Sequence, residues 1–389
     1  MSMVGWRGGL LGLVLLGVTC VPTVVLAQAG FYVTPSFSFG EVYDDNIFST
    51  ASKPESDFIT RFTPTIQAGY QSEPLTVLGR YTFDSEIYPD HPDLTNAQVR
   101  QRASAELKYL PIRPLTLAVN GNYAETQTPS ELNVLTELQV GRSRASSLSL
   151  APSMAYQFDP LTTGTGGYTF SRNELSGGVS TDTHAMNLGL DRRITPQDTG
   201  NLGYTFSHYV FGGSGTTADN DTLTSQVLTL GWTREITPLI SVTLRAGPRF
   251  SQGSVQPEAY ASIGYKLKSG GLLFTYAKSQ TTTIGEAQLL DTDSFTASVS
   301  YQFSRFLQLS AAPSFYRNSS EGSDVKVYRL SLGATYQITE WLSLAGSYQF
   351  SLQQGSFSST SGTPGSPDQE ISHNIVSLTL VATYPYRVY

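Results

Sequence analysis

The chain has 389 residues, 24 Lys and Arg against 31 Asp and Glu for a net charge of −7, 39% hydrophobic residues and only 14% charged ones. No run of Lys or Arg occurs, so nothing supports a nucleic-acid partner. No apolar run after residue 30 approaches the roughly 18 residues of a membrane helix, which excludes a helical membrane protein. Low charge without apolar runs, together with 22 Tyr and 19 Phe, suits a transmembrane barrel whose apolar residues are spaced by twos.

The N-terminus reads as a secretory signal. Arg7 precedes the apolar stretch Leu10 to Val18, Val24-Val25-Leu26 continues it, and Ala27-Gln28-Ala29 has the small-x-small form that a signal peptidase cuts. This predicts a cleaved peptide over 1–29 and a mature domain over 30–389. Cys20, the only cysteine, falls in the cleaved part behind a poor lipobox, Gly17-Val18-Thr19. Disulfides, thiol catalysis and Cys-based metal sites are thereby excluded.

From Phe31 onward the pattern alternates. The clearest stretch sets Leu307, Leu309, Ala311, Pro313 and Phe315 against Gln308, Ser310, Ala312, Ser314 and Tyr316, and then Tyr328, Leu330, Leu332, Ala334, Tyr336 and Ile338 against Arg329, Ser331, Gly333, Thr335 and Gln337. A period of two means strands apolar on one face. Eighteen such segments are predicted, among them 31–44, 57–71, 74–88, 96–110, 239–251, 258–267, 293–304 and 371–388. Connections after even strands are short, as at Ser72-Glu73, Pro111-Ile112, Asp159-Pro160 and Thr237-Pro238. Those after odd strands are longer and polar, as at 46–56, 128–142, 212–220 and 355–369. The fold class is therefore all-β, a transmembrane antiparallel up-and-down barrel of about 18 strands in the outer membrane, with short turns and both termini periplasmic. Near copies of Tyr156-Gln157-Phe158, Tyr301-Gln302-Phe303 and Tyr336-Gln337-Ile338 at the short turns predict an aromatic girdle. Tyr384, Tyr386 and Tyr389 resemble the terminal aromatic signal offered to the barrel-assembly machinery, with a bulge expected near Pro385.

Parity assigns the faces. In strands 2 to 4 the lipid set is Phe58, Phe62, Ile66 and Tyr70, then Leu75, Val77, Tyr81 and Phe83, then Val99, Ala103, Ala105 and Leu107. The inward set holds Arg61, Arg80, Asp84, Glu86, Arg100, Arg102, Glu106 and Lys108, and later strands add Asp191, Arg193, Arg245, Arg249, Lys266 and Arg329. The candidate lumen residues are Arg61, Arg80, Arg100, Arg102, Lys108, Arg245, Arg249 and Arg329. Two readings of them stand side by side: a basic strip contacting an anionic or polyhydroxylated solute, and a salt-bridge network that holds the wall together.

The loops carry the acid: Asp44 and Asp45, Glu55 and Asp57, Glu131 and Glu137, Asp219 and Asp221, Asp291 and Asp293, Asp368 and Glu370. Asp219-Asn220-Asp221 lacks the full ligand spacing of a calcium loop, so no metal site is assigned and the acids read as a solvated rim facing lipopolysaccharide. His91, His184, His208 and His373 show no metal-ligand spacing, and the serines are the polar half of strand alternation. No enzyme activity and no cofactor are expected.

Pro35-Ser36-Phe37-Ser38-Phe39-Gly40-Glu41-Val42-Tyr43-Asp44-Asp45-Asn46-Ile47, followed by Ser56-Asp57-Phe58-Ile59-Thr60-Arg61-Phe62-Thr63-Pro64, resembles the start of the β-barrel porin 2 family, whose motif falls here on Tyr43, Asp44, Asp45, Asn46, Asp57 and Pro64. The resemblance implies an outer-membrane barrel of the kind associated with PEP-CTERM and exopolysaccharide systems. It implies periplasmic polysaccharide-export proteins as partners, a saccharide polymer as solute, and no catalytic residues. Three functional classes follow: a channel for exopolysaccharide or other saccharides, with a general nutrient porin as its variant; a scaffold barrel plugged by its loops, for which 127–142 and 354–370 are the candidates; and, last, an enzyme.

Overall fold

In the computed structural model the described residues are 30–213, 221–285, 288–320, 323–356, 369–384 and 386–388. The predicted signal peptide, Asp219-Asn220, Asp368, Pro385 and Tyr389 lie outside them. The strands are β1 (Gly30–Asp44), β2 (Asp57–Gln71), β3 (Leu75–Ile87), β4 (Asn96–Ile112), β5 (Leu115–Thr126), β6 (Ala145–Asp159), β7 (Thr162–Leu175), β8 (Val179–Arg193), β9 (Asp198–Gly213) and β10 (Asp221–Thr237). They continue as β11 (Ile240–Ser251), β12 (Ser254–Leu267), β13 (Gly270–Thr282), β14 (Leu289–Gln302), β15 (Leu307–Ser320), β16 (Ser323–Gln337), β17 (Leu342–Ser356), β18 (Gln369–Thr383) and β19 (Tyr386–Val388).

Each strand pairs antiparallel with the next, and β1 pairs with β2 on one side and with β18 and β19 on the other, so the sheet closes. Because β19 continues β18, the result is a closed 18-strand barrel. Its outer face is apolar and uncovered: Leu230 is 72% exposed, and Phe58, Ile66, Met154, Leu188 and Phe295 are exposed in the same way. A surface of this kind around a sheet with no free edge is one that lipid covers. Tyr336 and Tyr328 lie eight residues apart on the outer face of β16, about 27 Å along the strand. A tilt near 40° brings that to roughly 20 Å of height, the scale of the apolar band between two aromatic girdles.

Four details differ from the sequence reading. The expected turn at Pro111-Ile112 belongs to β4, whose register shifts between Tyr109 and Ile112, and the chain reverses after Ile112, at 113–114. The expected longer connection between β11 and β12 is a two-residue turn, Gln252-Gly253, with φ of 52° and 74°; two left-handed residues make the type I′ hairpin that matches strand twist. At the end of the barrel, Ser36 pairs with Thr383 and Val33 with Tyr386. Two residues on each strand separate these rungs, so the register of β18 continues into β19 without a shift. Val99, assigned to lipid by parity, is 2% exposed and sits where β4 loops out between the rungs Asp84–Arg100 and Glu86–Asn96.

The buried apolar residues are few and gather at the loop end of the barrel. One cluster joins Val42, Ile47, Ile59 and Tyr88 with Phe48, Leu94 and Ile375, and another joins Leu138 to Leu290, Tyr316, Val325 and Val327. Along the wall, inward glycines receive neighbouring side chains: a Cβ on Gly69 would stand 2.4 Å from the Tyr32 ring, an aromatic ring lying over a strand glycine.

The two faces make a direct test. Leu230→Arg should destabilise the barrel by about 2–4 kcal/mol in urea titrations in lipid, the cost of a cation on the lipid face. Ser310→Arg, on the water-exposed inner face, should change stability by less than about 1 kcal/mol. Equal losses would contradict the assignment of faces.

Candidate functional site

The lumen is shaped by the segment between β5 and β6, residues 127–144, which folds inward and is tied to the wall at widely separated strands. Its first turn, Pro129–Glu131, places Glu131 against the Arg100 guanidinium of β4 at 2.7 Å, and Thr126 donates to the same carboxylate at 3.1 Å. From there the segment crosses to the far wall. Asn133 accepts the Ile284 amide at 2.9 Å, Asn318 of β15 donates to the Thr136 carbonyl at 2.9 Å, and the Gln139 amide donates to the Gln353 side chain of β17 at 2.8 Å. Glu137 pairs with Arg329 of β16. Returning, Arg142 donates to the Tyr88 hydroxyl at 3.2 Å and lies over its ring.

Leu138 fixes the crossing. It is fully buried against the inward faces of Leu290, Tyr316, Val325 and Val327, an apolar patch on an otherwise polar inner wall. Burying a leucine stabilises by about 1.5–3 kcal/mol, and it orders the hydrogen bonds around it. Glu137 has φ of 54°, a left-handed conformation uncommon outside glycine; Arg329 and the Asn133 carbonyl hold it there.

The inward arginines are distributed unevenly. Arg100 is 8% exposed and pairs with Glu86, itself 0% exposed. Arg61 reaches Glu86 at 2.7 Å, the Tyr88 hydroxyl donates to it at 2.6 Å, and Arg102 pairs with Asp84 at 2.8 Å. Arg249 is buried among Glu258, Asp291 and Gln256, Arg329 holds Glu137 and Gln349, and Arg245 lies over the Tyr260 ring. Arg80 lines a recess of about 590 Å³ in the inner wall with Ser36, Ser38, Thr63, Thr65, Arg102, Ser104 and Asn122. Among the described residues Arg80 and Lys108 enter no ion pair, and Lys108 is exposed. The structure thus brings Arg61, Arg100 and Arg102 together as one network with Asp84 and Glu86, sets Arg80 beside it, and leaves Lys108, Arg245, Arg249 and Arg329 apart. Sequence reasoning missed Tyr88, Leu138 and Arg142; the leucines of Leu132-Asn133-Val134-Leu135 and Leu138 in a polar loop were the signal for a buried segment.

The Tyr43-Asp44-Asp45-Asn46 motif lies outside the lumen path and at the seam. Asp45 accepts from the Asn374 amide and side chain, both at 2.7 Å, Asp44 meets His373 at 2.6 Å, and the Asn46 side chain donates to the Ser372 carbonyl at 3.0 Å. Asp57 accepts the Asp90 and His91 amides, while Tyr43 stacks on Phe58 and Pro64 faces Phe37 in the ladder. Asp44, Asp45 and His373 are close enough to share a metal ion, but the same oxygens serve these bonds, and no metal is assigned.

No family model matches the chain, and no curated protein matches it. Among solved structures it is similar to OccK3 (OpdO) of Pseudomonas aeruginosa at 12% identity, over 91% of this chain and 96% of that one, with a TM-score of 0.47. OccAB4 of Acinetobacter baumannii is similar at 9%, over 92% and 99%, TM-score 0.48, and the siderophore receptor PirA of Pseudomonas aeruginosa at 8%, over 90% and 80%, TM-score 0.46. Superpositions this loose carry no argument about the lumen, and the barrel rests on its own closed register.

Two predictions follow from the charges. Arg100→Gln leaves Glu86 and Glu131 short of a buried partner and should cost about 3–5 kcal/mol, read by unfolding in urea, whereas Arg102→Gln, at a half-exposed site, should cost about 0–1 kcal/mol. The second concerns the clamp between loops 45–56 and 88–95. His91 bonds Asp57 and Glu55, both at 2.9 Å, and these bonds raise its pKa above the ordinary 6.5. A raised folded pKa gives stability that is complete below about pH 6.5 and lost as pH climbs through the raised value. Protease cleavage within 45–56 should therefore accelerate as pH rises above about 6.5, and His91→Gln should flatten the dependence; a profile identical in both proteins would refute the clamp.

Proposed function

We propose that the chain is a passive outer-membrane channel for small hydrophilic solutes, narrowed by the inward segment 127–144. The observation that carries this is the pinning of that segment, through Glu131, Asn133, Thr136, Glu137, Leu138 and Gln139, to strands on both sides of the bore. Eighteen strands enclose more space than side chains alone fill, and the hydroxyl-rich recess around Arg80 gives a passing solute water-like contacts with one guanidinium. In this reading the loops face the exterior, both termini are periplasmic, the barrel-assembly machinery inserts the chain, and it carries no catalytic chemistry.

The motif at Tyr43 to Asn46 supports kinship with the β-barrel porin 2 family. Secretion of a saccharide polymer fits less well, since a threaded chain needs a bore that this segment obstructs. A scaffold barrel plugged by the same segment is the second reading, favoured by the dry anchor at Leu138.

Conductance in planar bilayers separates the two. The channel reading expects steady conductance from the native barrel and an increase when residues 129–141 are replaced by a short Gly-Ser linker. A native barrel that is silent and conducts only after the replacement would establish the plug. Selectivity then locates the solute contacts: Arg80→Gln with Lys108→Gln should shift the reversal potential under a salt gradient toward cations while leaving the unfolding midpoint in place. An unmoved reversal potential in the folded double variant would remove both residues from the solute path.

A further inference from the structure

The outer wall from β13 to β16 carries two neighbouring rungs of unlike chemistry. Register aligns Tyr276, Phe295, Phe315 and Tyr328 across the four strands, and their rings stand 4.7, 6.3 and 5.1 Å apart in sequence. Two residues further toward the loops on each strand, the same register aligns Lys278, Asp293, Arg317 and Lys326. On the turn side of the aromatic rung the wall is hollowed into a groove of about 460 Å³, with Ala261 and Ala297 among its small residues and Phe274, Tyr276, Phe295 and Phe315 around them. The small side chains leave the depth, and the rings supply its sides.

An aliphatic groove, an aromatic rung and a cationic rung in that order, from the middle of the wall outward, match the profile of a lipid from acyl chain through interface to headgroup. The charge matches too. Among the described residues three cations face two carboxylates: Lys278 rests on Asp293 at 3.0 Å, and Asp324 takes the Nε and Nη2 edge of Arg317 at 3.0 and 2.7 Å. The guanidinium is half exposed and planar, with further donors beyond that edge, and Lys326, exposed beside it in register, adds the third cation. On β7 and β8 the outward Arg172 instead faces two acids, Glu174 at 2.8 Å and Asp182 at 3.8 Å, and leaves no cation in surplus.

We infer that this face is a docking site for a phosphorylated lipid of the outer leaflet, with an acyl chain in the groove and a headgroup phosphate on Arg317 and Lys326. Arginine grips phosphate through paired N–H donors, and lysine adds a point charge. The aromatic rung between them would cover the ester region, where amphipathic rings sit. The inference rests on the orientation proposed above, because it needs the loop end of the barrel to face the outer leaflet, but not on conduction.

The probe is lipid A, with its dephosphorylated form as the comparison, titrated onto the full barrel in detergent and read by native mass spectrometry. The native barrel should retain lipid A as a saturable 1:1 adduct and bind the dephosphorylated form at least about tenfold more weakly, the effect of one lost charge-assisted contact. Lys278→Gln, Arg317→Gln and Lys326→Gln together should give the same loss with phosphorylated lipid, with folding verified by heat-modifiable gel migration. Ala297→Trp, which fills the groove and leaves the charges alone, should also weaken binding. Equal retention of the two lipids, undiminished binding by the folded triple variant, or a stoichiometric dimer that Ala297→Trp disrupts would overturn the assignment, the last by giving the groove to a second copy of the chain. A barrel that binds lipid A and does not conduct would sink the channel reading alone, and one that conducts and binds no lipid A would sink only this one.

Discussion

Lipid offers no hydrogen bonds, and that single constraint governs the molecule. A backbone N–H or C=O left unpaired in hydrocarbon costs several kcal/mol, so the first strand must find the last. The seam between β1 and β18 is a long-range pairing, Asp44 with Ile375 at one end and Ser36 with Thr383 at the other, and its closure cannot be driven by local contacts. The side chains at its loop end supply what the ladder alone lacks. Asp44, Asp45 and Asn46 leave β1 and fasten at once to His373, Asn374 and Ser372. The run that looks like a family signature is, in physical terms, a latch on the closure of the sheet.

Closure produces a second problem inside. An 18-strand wall encloses more volume than its inward side chains fill, and the charges that face inward can either pair or meet water. Here they divide by height. Near the loop end, Arg61, Arg100, Asp84, Glu86 and Glu131 crowd into a buried network closed over by Tyr88 and Arg142. Deeper in the wall, Arg80 shares a recess with hydroxyl and amide groups. The same residue type therefore serves two ends, and exposure tells them apart: Arg102, 53% exposed and bonded to Asp84, stands at the boundary of both.

Much of the barrel was legible in the residues because a period of two is all that a one-sided strand requires. Phe58, Phe62 and Ile66 face lipid as their parity states. What failed to read was local. Pro111 marks a turn by composition, yet β4 runs through it because the register slips by the turn. Gln252-Gly253 hides a tight hairpin because glutamine rarely adopts the left-handed conformation it holds there. Within the lumen, parity put Arg61, Arg80, Arg100 and Arg102 on one face, but it could not say that Glu86 would take two of them and leave Arg80 apart. That division depends on where 127–144 lies, and no periodicity in a loop encodes its path.

The path is set by a mismatch on the inner wall. Val325 and Val327 alternate correctly with outward Tyr328 and Lys326, yet they present hydrocarbon to what would be an aqueous bore. Tyr316 on the adjacent β15 and Leu290 on β14 beyond it extend the same dry patch. Left open, it would expose apolar surface to water; covered by Leu138, it becomes the only large apolar contact between the loop and the far wall among the described residues. The hydrogen bonds of Asn133, Thr136 and Gln139 to that wall then form in a site from which water has been removed, where each is worth more than at the surface. Affinity for the loop was built into the strands opposite, and the path of the segment across the lumen follows from four inward, largely apolar side chains rather than from the arginines beside them.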